Sequence, residues 1–413
     1  MKQKIFINFA EARHTESLSY YYIHSYRDLY ENLWIKTYVV FIGNTEEKLQ
    51  EEFLTIIWKK DVKELEIYLQ EIAQDYEIVF LNTFTESLIL ETNRLRKILG
   101  HKVSEFPEIF RNKHLQRKYL QEYDVSLGIR YQEIELENID RIHIRYPFII
   151  KPSSWVQSAW VSIMRDSHDL QKYKESHQLF EKNFQKRGYQ NSLFLIEEFI
   201  DGDMYSIDYF VSKEGNIIFS DPVEVSLGTE LWIKDFMNYC RCFSKEAKYK
   251  KEKQELEIYF HKCVKALKIK SIFIHHEFKI TSKWEIKTIE VNGRIGGYRL
   301  EMIQEAYNFN WLRASLWEKL ETGIVANFSV FLLYPPKRGI LRWFQEELFS
   351  QIKKKKSFFH IKLLEKYIWK EIGLTWEWFE KVGIIKLKNI ENKDFLEDNI
   401  FIKEHFKELL VLE

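Results

Sequence analysis

The chain has 413 residues, which is too long for one ordinary hydrophobic core and indicates two or three domains or lobes. Hydrophobic residues make up 45% and charged residues 30%, a composition that is typical of a folded globular protein and excludes a disordered one. Its 62 basic and 62 acidic side chains balance, so no basic excess supports wholesale nucleic-acid binding.

Membrane insertion, secretion and disulfide bonding have no support in the sequence. No apolar run approaches the ~18 residues of a membrane-spanning helix, and the run at residues 4–9 is too short for a signal peptide. The cysteines, Cys240, Cys242 and Cys263, are too few for a disulfide framework. Cys240 and Cys242 could supply two metal ligands, but without matching partners reduced thiols are the favoured interpretation. We therefore expect a cytoplasmic protein that binds neither nucleic acid nor a membrane.

The first hundred residues alternate apolar runs with helical patterns. The predicted elements are strands at residues 4–9, 37–43 and 76–82 and helices at residues 46–57 and 61–74. Strands that alternate with helices are typical of βαβ units with a parallel sheet, so residues 1–104 are predicted to form a Rossmann-like βαβ domain. No G-x-G-x-x-G follows the first strand, which leaves dinucleotide binding unsupported. A further helix is predicted to end at Gly100.

Longer elements follow from residue 105 onward. In chain order they are predicted as a helix at 106–125, a strand at 146–154, a helix at 166–184, a strand at 192–200, a hairpin that turns at 213–216, a helix at 244–269, a hairpin at 271–293 and a helix at 300–320. From Ser329 onward, short strands and helices predict a small C-terminal α+β domain, residues 329–413. Its lysine run at 353–356 is more typical of a solvated loop than of an anion site.

Two acidic residues lie on the strands of the last predicted hairpin, Glu277 in HHEFK and Glu290 in IEVNGR. A turn near residues 281–283 brings these strands side by side, so both carboxylates can project from one face. Asn292 lies two residues beyond Glu290 and shares that face. Two carboxylates and an amide oxygen suit Mg²⁺ that carries nucleotide phosphates. Taken alone, an ordinary surface hairpin with polar glutamates explains the pattern equally well.

Arg294 and the pair Gly296-Gly297 follow this hairpin directly. The arginine presents a fixed fork of donors to phosphate or carboxylate, and the glycines allow a ligand to approach the backbone at the start of a helix. Arg299 falls in the first turn of that helix and could hold a substrate carboxylate. The alternative is a strand–turn–helix with glycines for steric reasons and an exposed arginine.

Lysines near hydroxyl groups form a second candidate for phosphate binding. Lys151 ends a predicted strand and is followed by Ser153, Ser154 and Ser158. A lysine at a strand end beside hydroxyls and free backbone N–H groups can clamp a phosphate, and Lys113 could supply a second positive charge. Each lysine taken alone is more often an ordinary surface residue.

Other catalytic templates fail. The sequence has no G-x-x-x-x-G-K-[ST] loop and no G-x-S-x-G motif, and HHEFK is not the H-E-x-x-H of a zinc protease. His275 and His276 are adjacent, so on a strand they face opposite sides and cannot easily serve one metal.

The order of these pieces resembles the ATP-grasp superfamily of carboxylate–amine ligases. The matching motifs, in order, are Asn112-Lys113, FIIKPSS, LIEEFIDGDMYSID, HHEF and EVNGRIGG. They cover about residues 105–325, and the preceding and following segments are similar to the N-terminal domain of this superfamily and to the extra C-terminal domain of dipeptide-forming L-amino-acid ligases. The resemblance implies an α/β (α+β) ATP-grasp fold with the ATP-grasp domain at residues 105–328 and a small lid lobe at about residues 140–200.

The resemblance also implies roles for single residues. The implied ATP-binding residues are Lys113, Lys151, Ser153, Ser154, Ser158, Glu197, Glu198, Phe199 and Asp203. The implied ligands of one or two Mg²⁺ ions, for which Mn²⁺ can substitute, are Glu277, Glu290 and Asn292. The implied catalytic residues are Lys151 and Arg294, which neutralise the transferring phosphoryl group. The implied substrate contacts are Arg294, Arg299 and His275.

Two positions depart from the pattern of the superfamily. Met204 stands where a glutamate usually binds the ribose hydroxyls, so ribose recognition is expected to weaken or to shift to Asp203 or Asp208. The phosphate loop, SSWVQSAWV, has two tryptophans and no glycine where glycine is usual.

The expected function is therefore ATP- and Mg²⁺-dependent joining of a small carboxylate to an amine through an acyl phosphate, with release of ADP and phosphate. Amino acids, or a metabolite modified by an amino acid, are the expected substrates. A carboxylase or carbamoyl-forming enzyme and a catalytically silent nucleotide-binding protein are the alternatives. The oligomeric state is open, although a homodimer is common for cytoplasmic enzymes of this size.

Overall fold

The computed structural model describes residues 2–11, 20–43, 50–153, 161–175, 193–233, 237–245, 253–320, 323–374 and 381–413. These residues form a mixed α/β structure with four sheets. Within those ranges, none of the helices has the length and apolar character that a membrane span requires.

The N-terminal segment forms a mainly parallel sheet. Its strands and helices are β1 (Gln3–Glu11), α1 (Tyr20–Leu33), β2 (Lys36–Ile42), β3 (Gln50–Glu51), β4 (Leu54–Lys59), α2 (Val62–Asp75), β5 (Tyr76–Thr83) and α3 (Ile89–Ile98). The strand order is β3-β4-β2-β1-β5, and only β3 runs antiparallel to its neighbour. The centre of β1 is fully buried, as its apolar sequence predicts.

One predicted helix in this region is wrong. Residues 50–57 of the predicted helix at 46–57 belong to β3, a turn and β4, while residues 46–49 lie outside the described residues. The reason is tertiary: the β-branched run of β4 pairs in parallel with β2, and the rings of Phe41 and Trp58 stack with centroids 4.5 Å apart. Such pairing outweighs the weak helical preference of the local sequence.

The second sheet, here called the lid sheet, follows helix α4 (Lys113–Tyr123). Its strands are β6 (Tyr131–Glu135), β7 (Phe148–Pro152), β8 (Ser162–Met164) and β9 (Leu193–Glu198). All pairs are antiparallel in the order β6-β9-β7-β8, and a small separate core lies on one face. The helix predicted at 166–184 is described only as far as residue 175.

The third sheet, here called the central sheet, carries the longest strands. Its elements through residue 333 are β10 (Asp203–Val211), β11 (Ile217–Phe219), β12 (Val223–Leu227), β13 (Asn238–Phe243), α5 (Lys253–Ala266), β14 (Ile272–Ile280), β15 (Ile286–Asn292), α6 (Arg299–Tyr307) and β16 (Asn327–Leu333). Both predicted hairpins are confirmed, since β10 pairs with β11 and β14 pairs with β15 in antiparallel fashion.

The helix predicted at 300–320 is shorter than expected. Helix α6 ends at Tyr307 because Asn308 adopts a left-handed conformation with φ of 54°. A separate turn of 3-10 helix then runs from Trp311 to Leu316, and the Asn310 side chain caps it by accepting a hydrogen bond from the Leu312 N–H at 3.1 Å. Asparagine tolerates the left-handed region and caps helices well, which explains the break.

The C-terminal segment continues the central sheet. Its remaining elements are β17 (Gly339–Phe344), α7 (Glu346–Lys353), β18 (Phe358–Leu363), β19 (Glu371–Ile372), β20 (Gly383–Asn389), α8 (Asn392–Glu404) and β21 (Leu410–Leu412). The central sheet runs β15-β14-β10-β12-β13-β16-β20-β18, with β11 beside β10, and the fourth sheet is β19-β17-β21. Strand β16 crosses the proposed boundary at residues 328 and 329, so the segment 329–413 shares its sheet with the preceding domain.

Gly202 occupies a tight position in the link between the lid sheet and the central sheet. Its φ is +92°, and a Cβ there would lie 2.1 Å from the backbone oxygen of Ile280. Gly215 has a φ of +90° but nothing within 4 Å of such a Cβ. The two glycines therefore share a backbone conformation and differ in the space around them.

We expect Gly202→Ala to destabilise the protein more than the matched change Gly215→Ala. The left-handed conformation alone should cost Gly215→Ala about 1 kcal/mol of unfolding free energy. Gly202→Ala should cost about 1–3 kcal/mol more, because rigid backbone atoms must move. Urea unfolding of both variants measures the difference, and equal losses would contradict the close contact at Gly202.

Candidate active site

A pocket lies between the lid sheet and the central sheet, and its space of about 870 Å³ includes the part that is open to solvent. Its apolar wall is formed by Ile129, Ile149, Pro152, Val161, Phe199, Ile200, Met204, Leu227 and Ile289. Its polar and charged lining is formed by Lys113, Lys151, Glu197, Glu198, Asn238, Glu277, Lys279 and Glu290. An apolar wall with a few converging charged groups is typical of a small-molecule site.

A buried charge cluster lies at the lid side of the pocket. The Glu197 carboxylate on β9 accepts a hydrogen bond from Arg117 Nε of α4 at 2.7 Å, and its other oxygen lies 2.7 Å from Lys151 Nζ on β7. Burial lowers the pKa of Lys151 to about 8, against the attraction of Glu197. Burial also opposes the charge of Glu197, but Arg117 and Lys151 outweigh it and lower the pKa of that carboxyl. The cluster therefore fixes Lys151 at the pocket wall.

Two carboxylates face each other on the central sheet. Glu277 of β14 lies directly opposite Glu290 of β15. Glu290 Oε1 lies 2.7 Å from Lys113 Nζ, and Glu277 Oε1 accepts a hydrogen bond from Asn238 Nδ2 at 3.2 Å. Burial would raise the pKa of Glu277, but His275 and the more distant charges outweigh it and lower that pKa to about 2. Glu277 is therefore held as a carboxylate.

Asn292 completes a set of oxygen donors at this point. It lies opposite His275 at the end of β15 and is 4% exposed. Its Oδ1 is buried and has no hydrogen-bond partner among the described residues. Buried polar atoms are rarely left unpaired, so this oxygen is available to a ligand. Two carboxylates and an unpaired amide oxygen fit a hard cation such as Mg²⁺.

A buried hub supports the turn after β15. Asp208 is fully buried and accepts a hydrogen bond from the Gly296 N–H at 2.7 Å, while its Oδ2 lies 3.0 Å from His275 Nδ1 and 3.3 Å from Arg299 Nε. Burial lowers the pKa of His275, but Asp208 outweighs it and raises that pKa. Asp208 thus orients His275, whose Nε2 lies 3.5 Å from Glu277.

The two arginines predicted as substrate contacts lie in different surroundings. Arg294 is partly buried, and its Nη2 donates a hydrogen bond to Glu86 at 2.9 Å, which links the site to the N-terminal segment. Arg299 is 1% exposed, and its guanidinium contacts Asp208, Ser206 and Met302. Neither arginine is part of the pocket lining: Arg294 is held by Glu86, and Arg299 by Asp208.

The remaining predicted residues are placed as follows. Ser153 is buried and donates a hydrogen bond to Glu133 at 2.7 Å, whereas Ser154 and Ser158 lie outside the described residues. Glu198 and Phe199 line the pocket. Asp203 begins β10, is exposed and is not part of the lining.

The cysteine pair adds no metal site. Cys240 and Cys242 are buried free thiols, and burial raises the pKa of Cys240 to about 11. Among the described parts of the chain, no group of three or more His, Cys, Asp or Glu residues is arranged to hold a metal.

Several site residues were not predicted from the sequence. Arg117 follows Lys113 by one helical turn on α4, and Lys279 follows Glu277 by two residues on β14, so in both cases the spacing was a usable signal. Lys279 Nζ donates a hydrogen bond to the Ile200 carbonyl oxygen at 2.9 Å. Asn238 reaches the site only through strand pairing across the sheet, so its own segment gave no indication of this role. Asp208 was named from the sequence only as a candidate for ribose recognition, whereas its side chain contacts Gly296, His275 and Arg299.

Comparison with known proteins agrees with this geometry. Residues 144–301 match the family model described as an ATP-grasp domain. A search of curated protein sequences found no match.

Three solved structures show the likeness of the fold. The chain is similar to an L-amino acid ligase from Bacillus licheniformis, at 15% identity over 100% of this chain and 99% of that chain, with a TM-score of 0.72. It is similar to N5-carboxyaminoimidazole ribonucleotide synthetase from Thermotoga maritima, at 15% identity over 100% of both chains, with a TM-score of 0.63. It is also similar to the biotin carboxylase domain of 2-oxoglutarate carboxylase from Hydrogenobacter thermophilus, at 13% identity over 94% of this chain and 86% of that chain, with a TM-score of 0.62.

At these identities the structural likeness establishes the fold, and the family match places the ATP-grasp motifs on the two sheets that enclose the pocket. Residues 144–301 therefore match the ATP-grasp domain family, and the chain as a whole has the fold of the solved structures to which it is similar.

Proposed function

We propose that this chain is an ATP- and Mg²⁺-dependent carboxylate–amine ligase that forms an amide bond through an acyl phosphate and releases ADP and phosphate. The observation that carries the proposal is the pair of facing carboxylates, Glu277 and Glu290, in a pocket that Lys113 and Lys151 also line. Asn292, with its unpaired Oδ1, ends the strand that carries Glu290. The proposed substrates are small carboxylates and amines. The proposed location is the cytoplasm, and the proposed oligomeric state is a homodimer.

The pocket has separate regions for the parts of a nucleotide. Met204, Leu227 and Ile289 offer apolar contact to a base, and the backbone near Phe199 can bond its edge. Lys113 and Lys151 bring two positive charges to the phosphates. Glu277, Glu290 and Asn292 would hold one or two Mg²⁺ ions, with Mn²⁺ as a substitute, and the bound metal supplies charge neutralisation at the phosphates.

In the proposed reaction, a substrate carboxylate oxygen attacks the γ-phosphorus of ATP, and ADP leaves. The side chains of Lys151 and Arg294 neutralise charge that develops on the phosphoryl oxygens, which is catalysis by position and electrostatics. The amine nitrogen then attacks the acyl carbon and forms the C–N bond. The bond from that carbon to the phosphate oxygen breaks, phosphate leaves with the electron pair, and the nitrogen loses a proton to solvent. The lid sheet lies over the pocket and would limit access of water, which competes with the amine for the acyl phosphate.

A carboxylase that acts on bicarbonate is the second candidate. The similar biotin carboxylase domain from Hydrogenobacter thermophilus was solved with MgADP and bicarbonate, so this fold accommodates that substrate. ADP release that requires bicarbonate, and no amino acid, would favour this candidate.

The testing experiment is ADP and phosphate release by the purified protein with ATP, Mg²⁺ and single amino acids, then pairs of them. We expect release that requires an amino acid and is lost in Glu290→Gln. Release of AMP and pyrophosphate would refute the acyl-phosphate mechanism. Binding of Mg·ATP without turnover would favour the catalytically silent alternative.

The low pKa of Lys151 predicts a limit on ATP use at high pH. Because burial lowers this pKa to about 8, the ammonium group loses its proton as the pH rises through 8. We expect kcat/KM for ATP to fall about tenfold per pH unit above that value, since this ratio reports groups of the free enzyme. Lys151→Arg keeps its charge and should abolish this fall. A flat profile in the unmodified protein would contradict the assignment of Lys151 to the phosphates.

A further inference from the structure

Arg241 lies on the same face of the central sheet as the pocket. Four residues form a row across adjacent strands of this sheet. Arg241 of β13 pairs with Val225 of β12, Val225 pairs with Met204 of β10, and Met204 pairs with Lys279 of β14. Residues directly opposite each other on adjacent strands project from one face of a sheet. Met204 and Lys279 line the pocket, so the Arg241 side chain emerges beside it, two strands farther along.

The guanidinium of Arg241 is partly buried and incompletely bonded. Its Nη1 is buried and has no hydrogen-bond partner among the residues that the structure describes. The carbon of the guanidinium lies 5.8 Å from the ring centroid of Tyr298. Tyr298 belongs to the turn that links Arg294, a predicted phosphate-binding residue, to helix α6.

Four other cations of the site differ from Arg241 because each lies beside a carboxylate, while Lys279 donates its hydrogen bond to the Ile200 carbonyl oxygen. Lys113 lies beside Glu290, Lys151 beside Glu197 and Arg294 beside Glu86. Arg299 lies beside Asp208. Within the described ranges, Arg241 has no carboxylate within ion-pair distance. A buried donor without a hydrogen-bond partner destabilises the protein, so a ligand that accepts a hydrogen bond from Arg241 would gain binding free energy.

We propose that Arg241 binds the carboxylate of the amine substrate, so that the preferred acceptor is an amino acid or another amine that carries a carboxylate. This inference rests on the proposed ligase function and specifies its second substrate. The carboxylate of the first substrate is consumed when it is phosphorylated, whereas that of an amino-acid acceptor persists through the reaction. A guanidinium group can hold a carboxylate by two parallel hydrogen bonds, and the Tyr298 ring can cover the flat face of the guanidinium.

A double comparison tests this pairing. KM is measured for each common L-amino acid as acceptor and for its carboxamide, in the unmodified protein and in Arg241→Gln. Because a hydrogen bond to a charged group is worth ~1.5–3 kcal/mol, Arg241→Gln should raise KM for the free amino acid about 10- to 100-fold. The carboxamide should change less than about threefold, since its contact with Arg241 is already lost. Arg241→Lys should restore part of the preference.

Controls separate this inference from the function on which it rests. Hydroxylamine is an amine without a carboxylate, and its hydroxamate product reports acyl-phosphate formation in the unmodified protein. Hydroxamate formation together with equal KM changes for amino acid and carboxamide would overturn the role of Arg241 and leave the ligase function standing. No ADP and no hydroxamate with any amino acid would overturn the function and the inference with it. Arg338→Gln, at an exposed arginine paired with Glu371, should leave both KM values unchanged.

Discussion

Replacing Glu290 with glutamine is expected to reduce kcat for ADP release by at least about 1000-fold, because a bound metal contributes several kcal/mol of charge stabilisation to the transition state. Glutamine keeps the shape of the side chain but removes one of the two facing negative charges that the site offers to a cation. Its oxygen can still accept a hydrogen bond from Lys113, which now lies 2.7 Å from the carboxylate. The change should therefore affect metal binding and turnover far more than folding.

The measurement is ADP release at saturating ATP over a titration of Mg²⁺, with thermal unfolding as a check of the fold. Glu277→Gln should show a comparable loss, since Glu277 lies directly opposite on β14. The matched control is Glu285→Gln, an exposed glutamate beside the turn of the same hairpin, which should behave like the unmodified protein. Retention of more than about a tenth of the activity in Glu290→Gln would place the metal elsewhere. A tenfold fall in rate corresponds to only about 1.4 kcal/mol of activation free energy, which is less than loss of a metal contact should cost.

The second large effect is on stability, and it is expected for Glu197→Gln. Glu197 is 3% exposed and lies 2.7 Å from both Arg117 Nε and Lys151 Nζ. Removing its charge leaves two buried cations without a counter-ion, a situation that typically costs ~3–5 kcal/mol. The same change should lower the pKa of Lys151 further, because the attraction of Glu197 now opposes the effect of burial.

The neighbouring residue provides the control. Glu198 pairs with Arg130, whose side chain is 79% exposed, and exposed ion pairs of this kind contribute about 0–1 kcal/mol. Urea unfolding should therefore show a much larger loss for Glu197→Gln than for Glu198→Gln. Similar losses in the two variants would mean that water or a rearranged side chain compensates the buried cations.

The sequence predicted best where one local pattern determines both the strand and the direction of its side chains. The alternation in β14 and β15 and the short turn between them place Glu277 opposite Glu290, and the structure has this register. Asn292 follows by the two-residue period of a strand. The parallel N-terminal sheet and the hairpin at 213–216 follow from equally local patterns.

The failures arise where distant residues decide. Residues 54–57 have a helical pattern when taken alone, but pairing with β2 makes them a strand. The resemblance implied that Glu197 binds ATP, but no local pattern indicated that Arg117, from a helix far earlier in the chain, holds its buried side chain. Asn238 and Asp208 reach Glu277 and Gly296 only across paired strands, and no spacing rule within one segment could link them.

The passage of β16 into the C-terminal segment has a consequence for how the protein is made. The N-terminal sheet is complete once residue 83 has left the ribosome, but β16 pairs on one side with β13 and on the other with β20, near the end of the chain. Until residues 383–389 are synthesised, that edge of β16 presents unpaired N–H and C=O groups, which can pair with other nascent chains. Truncation before residue 383 should therefore yield aggregates rather than a shorter soluble enzyme, and the C-terminal strands act as the closing step of folding.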